Sequence, residues 1–141
     1  MKPPVDSVRV SAQGRDQLIK LKRQTGIENW NTLCRWALCC SLREKAAPGE
    51  PVSGSEVGVD IRWETFGGDY SEVLSALVYQ RSRRDGFGDS RDAAAQCFRA
   101  HLHRGLGYLA SESYLTSDSG EARIERFMQR WLQNKRLDKE A

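Results

Sequence analysis

The stretch Asn31–Glu44, NTLCRWALCCSLRE, limits the fold more than any other part of the chain. Read as a helix with the preceding residue, it carries Trp30, Leu33, Cys34, Trp36, Ala37, Leu38, Cys39, Cys40 and Leu42. At about 100° per residue these positions surround nearly the whole barrel. A helix that is apolar all round must be buried, in a large core or between subunits. A chain of 141 residues offers one domain's worth of cover. Oligomerisation is therefore the natural expectation for this helix, spanning about 30–43. Its three cysteines do not form a metal site by themselves. Cys39 lies about 140° around from Cys34, and Cys40 about 120° the other way, so they diverge rather than meet at one ion. No C-x-x-C spacing occurs in the chain. Free cysteine packs as a small hydrophobe, and all four are expected to be reduced and structural.

The preceding residues predict a strand, a helix and a turn. Val8 and Val10 alternate with Ser7, Arg9 and Ser11, giving a short strand with one apolar face. Ser11 can cap the helix AQGRDQLIKLKRQT, whose buried side is marked by Leu18 and Leu21 with help from Ile19. Lys20, Lys22 and Arg23 fall late in that helix, where cations suit the dipole, and Gly26 ends it. Asn29 or Asn31 caps the apolar helix. Met1–Ser7, with Pro3 and Pro4, reads as a flexible arm.

After a Pro/Gly loop at residues 46–58, VGVDIRWET alternates Val57, Val59, Ile61 and Trp63 on one face, as in an amphipathic strand. Gly67-Gly68 turns the chain. Asp69 and Glu72 have the capping-box spacing for a helix near 70–84, with Val73, Leu74, Leu77 and Val78 as its core side. DGFGDS is a loop. The next helix, near 90–111, presents Ala95, Phe98, Leu102, Leu106 and Leu109, and its Gly105 and Gly107 suggest close helix contact. Beyond a Ser/Asp/Gly loop, Ile124, Phe127, Met128, Trp131 and Leu132 form a regular helical stripe. The expected organisation is one domain over 1–111 and an amphipathic helical extension over 112–141.

Charge is distributed unevenly. Residues 1–47 hold nine Lys/Arg against four Asp/Glu, whereas residues 48–80 hold one against six. The basic first third is a candidate polyanion surface. No apolar run has membrane length, MKPPVDS is unlike a signal peptide, and a cytoplasmic setting is expected. Catalytic signatures are missing: there is no G-x-x-x-x-G-K-[ST], H-E-x-x-H or G-x-S-x-G. Cys97 and His101 share a helix face, but His103 points about 160° from His101, and two ligands from one helix leave a tetrahedral shell unfilled. No metal or cofactor is expected. A strand followed by two helices is the layout of β-ribbon DNA readers, whose second helix can meet a phosphate at its N-terminus. Asn29, Asn31 and Thr32 stand at that terminus here.

The run R-x-S … L-x-x-L-x-x-x-T-G … N-x-L-C-R-x-A-L-x-x-S-L, from Arg9 to Leu42, resembles the DndE family of bacterial DNA sulfur modification proteins. GSEVGVDIRWETFGGDYSEVLSALV and FRAHLHRGLGYL are similar to further family segments, so the resemblance covers about residues 8–110. It implies a small, mainly helical, tetrameric protein that binds duplex DNA, preferably nicked, beside DndC and DndD. Sulfur activation and nucleotide hydrolysis fall to the other components. The family's DNA contact is attributed largely to lysines, of which this chain has six, and arginines can replace them as phosphate ligands with different geometry.

The combined expectation is a mainly α chain with a ribbon-helix-helix-like start, a further short strand and more helices, assembled as a homotetramer. It would be a non-catalytic DNA-binding and assembly subunit, with Arg9, Arg15, Lys20, Lys22 and Arg23 as candidate phosphate contacts. The alternatives are a ribbon-helix-helix transcription regulator and, more distantly, a nicking enzyme, for which no convincing acid pair is present.

Overall fold

A computed structural model describes residues 2–49 and 57–111. Its element order is β1 (Ser7–Ser11), α1 (Ala12–Thr25), α2 (Trp30–Leu42), β2 (Val57–Arg62), α3 (Trp63–Gly67), a 3-10 turn (Gly68–Tyr70), α4 (Ser71–Arg84) and α5 (Arg91–Ser111). The C-terminal stripe from Ile124 to Leu132 lies outside the described residues.

Local signals set most of these boundaries. The Ser11 side chain accepts from the Gly14 N–H and opens α1, while Gly26, at φ 76°, closes it with a bond to the Lys22 carbonyl. Asn29, rather than Asn31, caps α2 by accepting from the Asn31 N–H. The strand after the loop stops at Arg62, and Trp63 starts α3 instead of extending the alternation. Trp63 is buried against Phe66 and Phe98, with ring centroids 5.2–5.6 Å apart in tilted and edge-on pairs.

Three expectations fail here. Asp69 and Glu72 do not form a capping box; Tyr70 is the N-cap of α4 and makes no side-chain cap bond, because the preceding 3-10 turn feeds straight into the helix. Val73 and Leu77 are exposed, and only Leu74 and Val78 of that set reach the core. The N-terminal arm is packed: Pro4 and Val5 are buried, and Arg91 donates to the Pro3 carbonyl and the Asp6 carboxylate.

β1 and β2 form a two-stranded antiparallel ribbon, with Val8 opposite Ile61 and Val10 opposite Val59. Val8 and Val10 enter the core from its inner face. The ribbon's second strand therefore comes from the same chain. The helix α2 finds its main cover in α5, also within the chain. Leu33, Cys34, Ala37, Leu38 and Cys40 are buried; Trp30, Trp36 and Leu42 are half-buried and Cys39 is exposed. None of the four cysteines is in a disulfide.

The α2–α5 approach is set by Gly105, where an added Cβ would overlap the backbone carbonyl of Ala37. Gly107 differs, since its nearest neighbour would be Gln17 Nε2 at 4.0 Å. Gly105→Ala must push two packed helices apart and should destabilise the protein by roughly 3 kcal/mol, at the upper end of overpacking costs. Gly107→Ala should be neutral or stabilising by up to about 1 kcal/mol through helix propensity. Urea unfolding of the two variants checks the contrast, and equal effects would contradict this account of the interface.

Candidate nucleic-acid interface

The outer face of the ribbon is polar because its inner face is not. With Val8 and Val10 turned inward, Ser7, Arg9 and Ser11 must project outward. The register sets Asp60 opposite Arg9 and Arg62 opposite Ser7, and Arg9, Asp60 and Arg62 are all exposed. Arg62 was not among the residues singled out from sequence. Only the pairing of Val10 with Val59 places it on the same face as Arg9, and the same pairing sets an acid directly across from Arg9. The ribbon's end is tied to α5: His103 Nε2 accepts from the Ser11 N–H at 3.2 Å, while its Nδ1–H donates to the Arg99 carbonyl.

From there α1 carries the other cations. Arg15 and Lys22 are seven residues apart and share one face, with Arg23 about 100° on from Lys22. All three are exposed. Lys22 and Arg23 sit in the last turn and border a shallow depression with Ile19, Gly26 and Glu28. Lys20 is turned toward α5, where its Nζ donates to the Ala110 carbonyl at 2.9 Å. Along 14 residues, about 21 Å, exposed cations thus run from the ribbon to the loop before α2. The N-terminus of α2 follows that loop, but its cap is already engaged with Asn29, and Thr32 Oγ1 accepts from Arg35.

A second polar cluster lies on the other side of the core. Arg81 Nε donates to Asp85 at 2.8 Å, His101 Nε2–H donates to the same carboxylate at 2.7 Å, and Ser41 Oγ lies 2.8 Å from His101 Nδ1. Arg104 Nε donates to Ser41 Oγ, which leaves the Ser41 O–H for His101. The two guanidinium groups also reach the backbone at the end of α2. Arg81 bonds the Leu42, Glu44 and Ala46 carbonyls, and Arg104 those of Ser41 and Ala46. The Ser41 carbonyl also accepts from the Glu44 N–H; the cations add to the bonding of these groups and complement the negative helix end.

The order Ser41–His101–Asp85 is that of a nucleophile relay, but Ser41 and His101 are both fully buried, so no substrate reaches the hydroxyl. Donor atoms of Asp85, Cys97 and His101 lie within 4.8 Å of one another. They replace the Cys97, His101 and His103 grouping weighed from sequence. Both Asp85 oxygens are already bonded, one to a guanidinium, and burial with the nearby Asp85 pushes the Cys97 thiol up to about 12. A cation would have to displace Arg81 and deprotonate that thiol. The arrangement acts as a lock on the fold. Its members were not recognised from sequence as partners, because residues 41, 81, 85, 101 and 104 come together only when α2, α4 and α5 pack.

The lock makes stability acid-sensitive. Burial lowers the His101 pKa below 6.5, and the Arg81 and Arg104 charges act the same way against the bond to Asp85. Its contribution is therefore whole above about 6.5 and declines as pH falls, since the unfolded chain takes up the proton first. Burial alone would raise Asp85, but the bonds from Arg81 and His101 outweigh it and hold it below 3.8, so its contribution is lost only in stronger acid. Unfolding free energies measured from pH 8 to pH 5 should fall with acidity. His101→Gln should flatten that slope while costing about 1–3 kcal/mol at pH 8. An unchanged slope would sink the assignment.

With this geometry in place, comparison with known proteins shows that a family model described as DndE, DNA sulphur modification protein DndE, aligns with residues 7–117. No curated protein and no solved structure matches the chain. The matched region begins with β1 and includes both the cation-bearing ribbon and α1 and the buried lock.

Proposed function

The chain belongs to the DndE family, DNA sulphur modification proteins, and from that membership we propose that it serves DNA sulfur modification as a non-catalytic subunit that binds the backbone of duplex DNA. The observation that carries this reading is the strip of exposed cations on the ribbon and α1: Arg9, Arg62, Arg15, Lys22 and Arg23. Duplex DNA places one phosphate per about 3.4 Å of each strand, so a strip of that length can span several phosphates. Contacts of this kind fix position on the duplex without reading bases. Asp60, opposite Arg9, disfavours close burial of the ribbon in a groove and favours contact along its edge. In the full reading the protein works in the cytoplasm as a homotetramer beside DndC and DndD, and prefers nicked duplex, whose added flexibility lets separate strips engage both flanks. No helix among the described residues is long and apolar enough to cross a membrane.

A ribbon-helix-helix transcription regulator is the competing reading, because the β1–α1–α2 order is shared with such readers. Against it, β1 is already paired with β2 of its own chain.

Fluorescence anisotropy across a salt series, with intact duplex, nicked duplex and unrelated sequences, separates the two. Affinity should fall steeply with salt. Arg15→Ala, Arg62→Ala and Lys22→Ala should each lower the magnitude of the salt slope by about one and weaken all sequences alike. Lys20→Ala should change little, since its ammonium is bonded to the Ala110 carbonyl. Tight selectivity for one palindrome, lost by roughly 1–3 kcal/mol at particular base pairs on changing Arg9, would favour the regulator. No binding at low salt would reject DNA contact by the isolated protein.

A further inference from the structure

Among the described residues, the most exposed large apolar side chains gather on α4. Tyr70, Val73 and Leu77 are 64%, 58% and 41% exposed. They recur at i, i+3 and i+7, so they fall on one face, which Ala76, Gln80 and Arg84 continue. Beside Leu77 a groove of about 210 Å³ is lined by Leu42, Gln80, Arg81 and Arg84.

We propose that this face is an isologous interface with a second copy of the chain, the two α4 helices packing antiparallel about a two-fold axis near Ala76 and Leu77. Charge order carries the choice of occupant and of direction. Acids stand at the start of the face, at Asp69 and Glu72, and arginines at its end, at Arg83 and Arg84. Among the described residues Asp69, Glu72 and Arg84 make no ion pair, whereas Arg83 pairs with Asp89 at 2.8 Å. A parallel copy would set like charges side by side. An antiparallel copy sets each acidic end on an arginine end, twice, as a two-fold interface requires. With the axis between positions 76 and 77, Asp69 meets Arg84 of the partner subunit. Val73 of the partner subunit then lies over Gln80, at the groove. A single helix pair buries less than the ~1,200 Å² of a stable interface, so this contact alone gives association that depends on protein concentration and weakens with salt. The proposal rests on the homotetramer part of the proposed function, which it deepens by placing one interface, and it holds whether or not the protein binds DNA.

Sedimentation equilibrium of the full chain over a concentration series tests it. The mass should rise above the 16.0 kDa of one chain. Val73→Lys with Leu77→Lys should abolish this contact and return monomers, or halve a larger assembly, while keeping the parent's helical content, because both side chains are exposed among the described residues. Asp69→Arg alone and Arg84→Asp alone should each weaken association, and the two together should restore it. These positions are exposed, so the reversal remains informative even if the lysine pair folds poorly. A full chain that stays monomeric throughout overturns the proposal, as does a lysine variant that keeps the parent mass. Single reversals that the double fails to rescue overturn the antiparallel register.

Discussion

The close approach of α2 to α5 at Gly105 governs the arrangement of everything else. A glycine there lets the Ala37 backbone come where a side chain would stand. That closeness brings Ser41, one turn further along α2, against His101 and Arg104 on α5. The remaining members of the lock, Arg81 and Asp85, come from α4 and the residue that ends it. Two guanidinium groups then cover the carbonyls at the end of α2, a helix that has no basic residue in its own last turn. The capping that a neighbouring lysine or arginine often gives comes instead from 35 or more residues away in sequence. Buried charge is tolerated because Asp85 and Arg81 form a close pair whose side chains are only 2% and 8% exposed, and each is further hydrogen-bonded.

This division of labour sorts the charged residues. Arg81 and Arg104 are spent on the fold, and Arg35 ties α2 to α3 through the Phe66 carbonyl. Arg9, Arg15 and Arg62 lie instead on exposed positions, because the valines of the ribbon and the leucines of α1 face the core. The blocks through which the chain resembles its family contain many members of the lock and the helix contact, among them Ala37, Leu38, Ser41, His101, Arg104 and Gly105. Their match speaks first to a shared architecture. The DNA reading rests on the cations displayed by that architecture.

Much of the local structure was legible beforehand. Ser11, Gly26 and the alternation of Val8 and Val10 act within a few residues, so their signals survive in one dimension. Arg9, Arg15, Lys20, Lys22 and Arg23 were named from sequence only as candidate phosphate contacts; all five lie at exposed positions, and Lys20 is bonded to the Ala110 carbonyl. The failures have a common cause. Asp69 and Glu72 have capping spacing, but a preceding 3-10 turn changes which residue enters the helix first. Val73 and Leu77 have core spacing, but α5 packs on the neighbouring face of α4 and leaves them outside. The apolar girdle of α2 suggested subunits, and the chain's own last described helix supplied most of the cover.

The sequence by itself determined which segments are helix and strand, where most of them start and stop, and that the first third carries excess positive charge. Those properties depend on hydrogen bonds and side-chain spacing within one or two turns. Only the tertiary structure decided that Asp60 stands across from Arg9 and Arg62 beside it, since strand register depends on how the inner valines meet. It also decided that Ser41 and His101, 60 residues apart, share one hydrogen bond. No local pattern encodes such a pair; it exists because a glycine lets two helices close to backbone contact, and burial then requires each polar atom between them to find a partner.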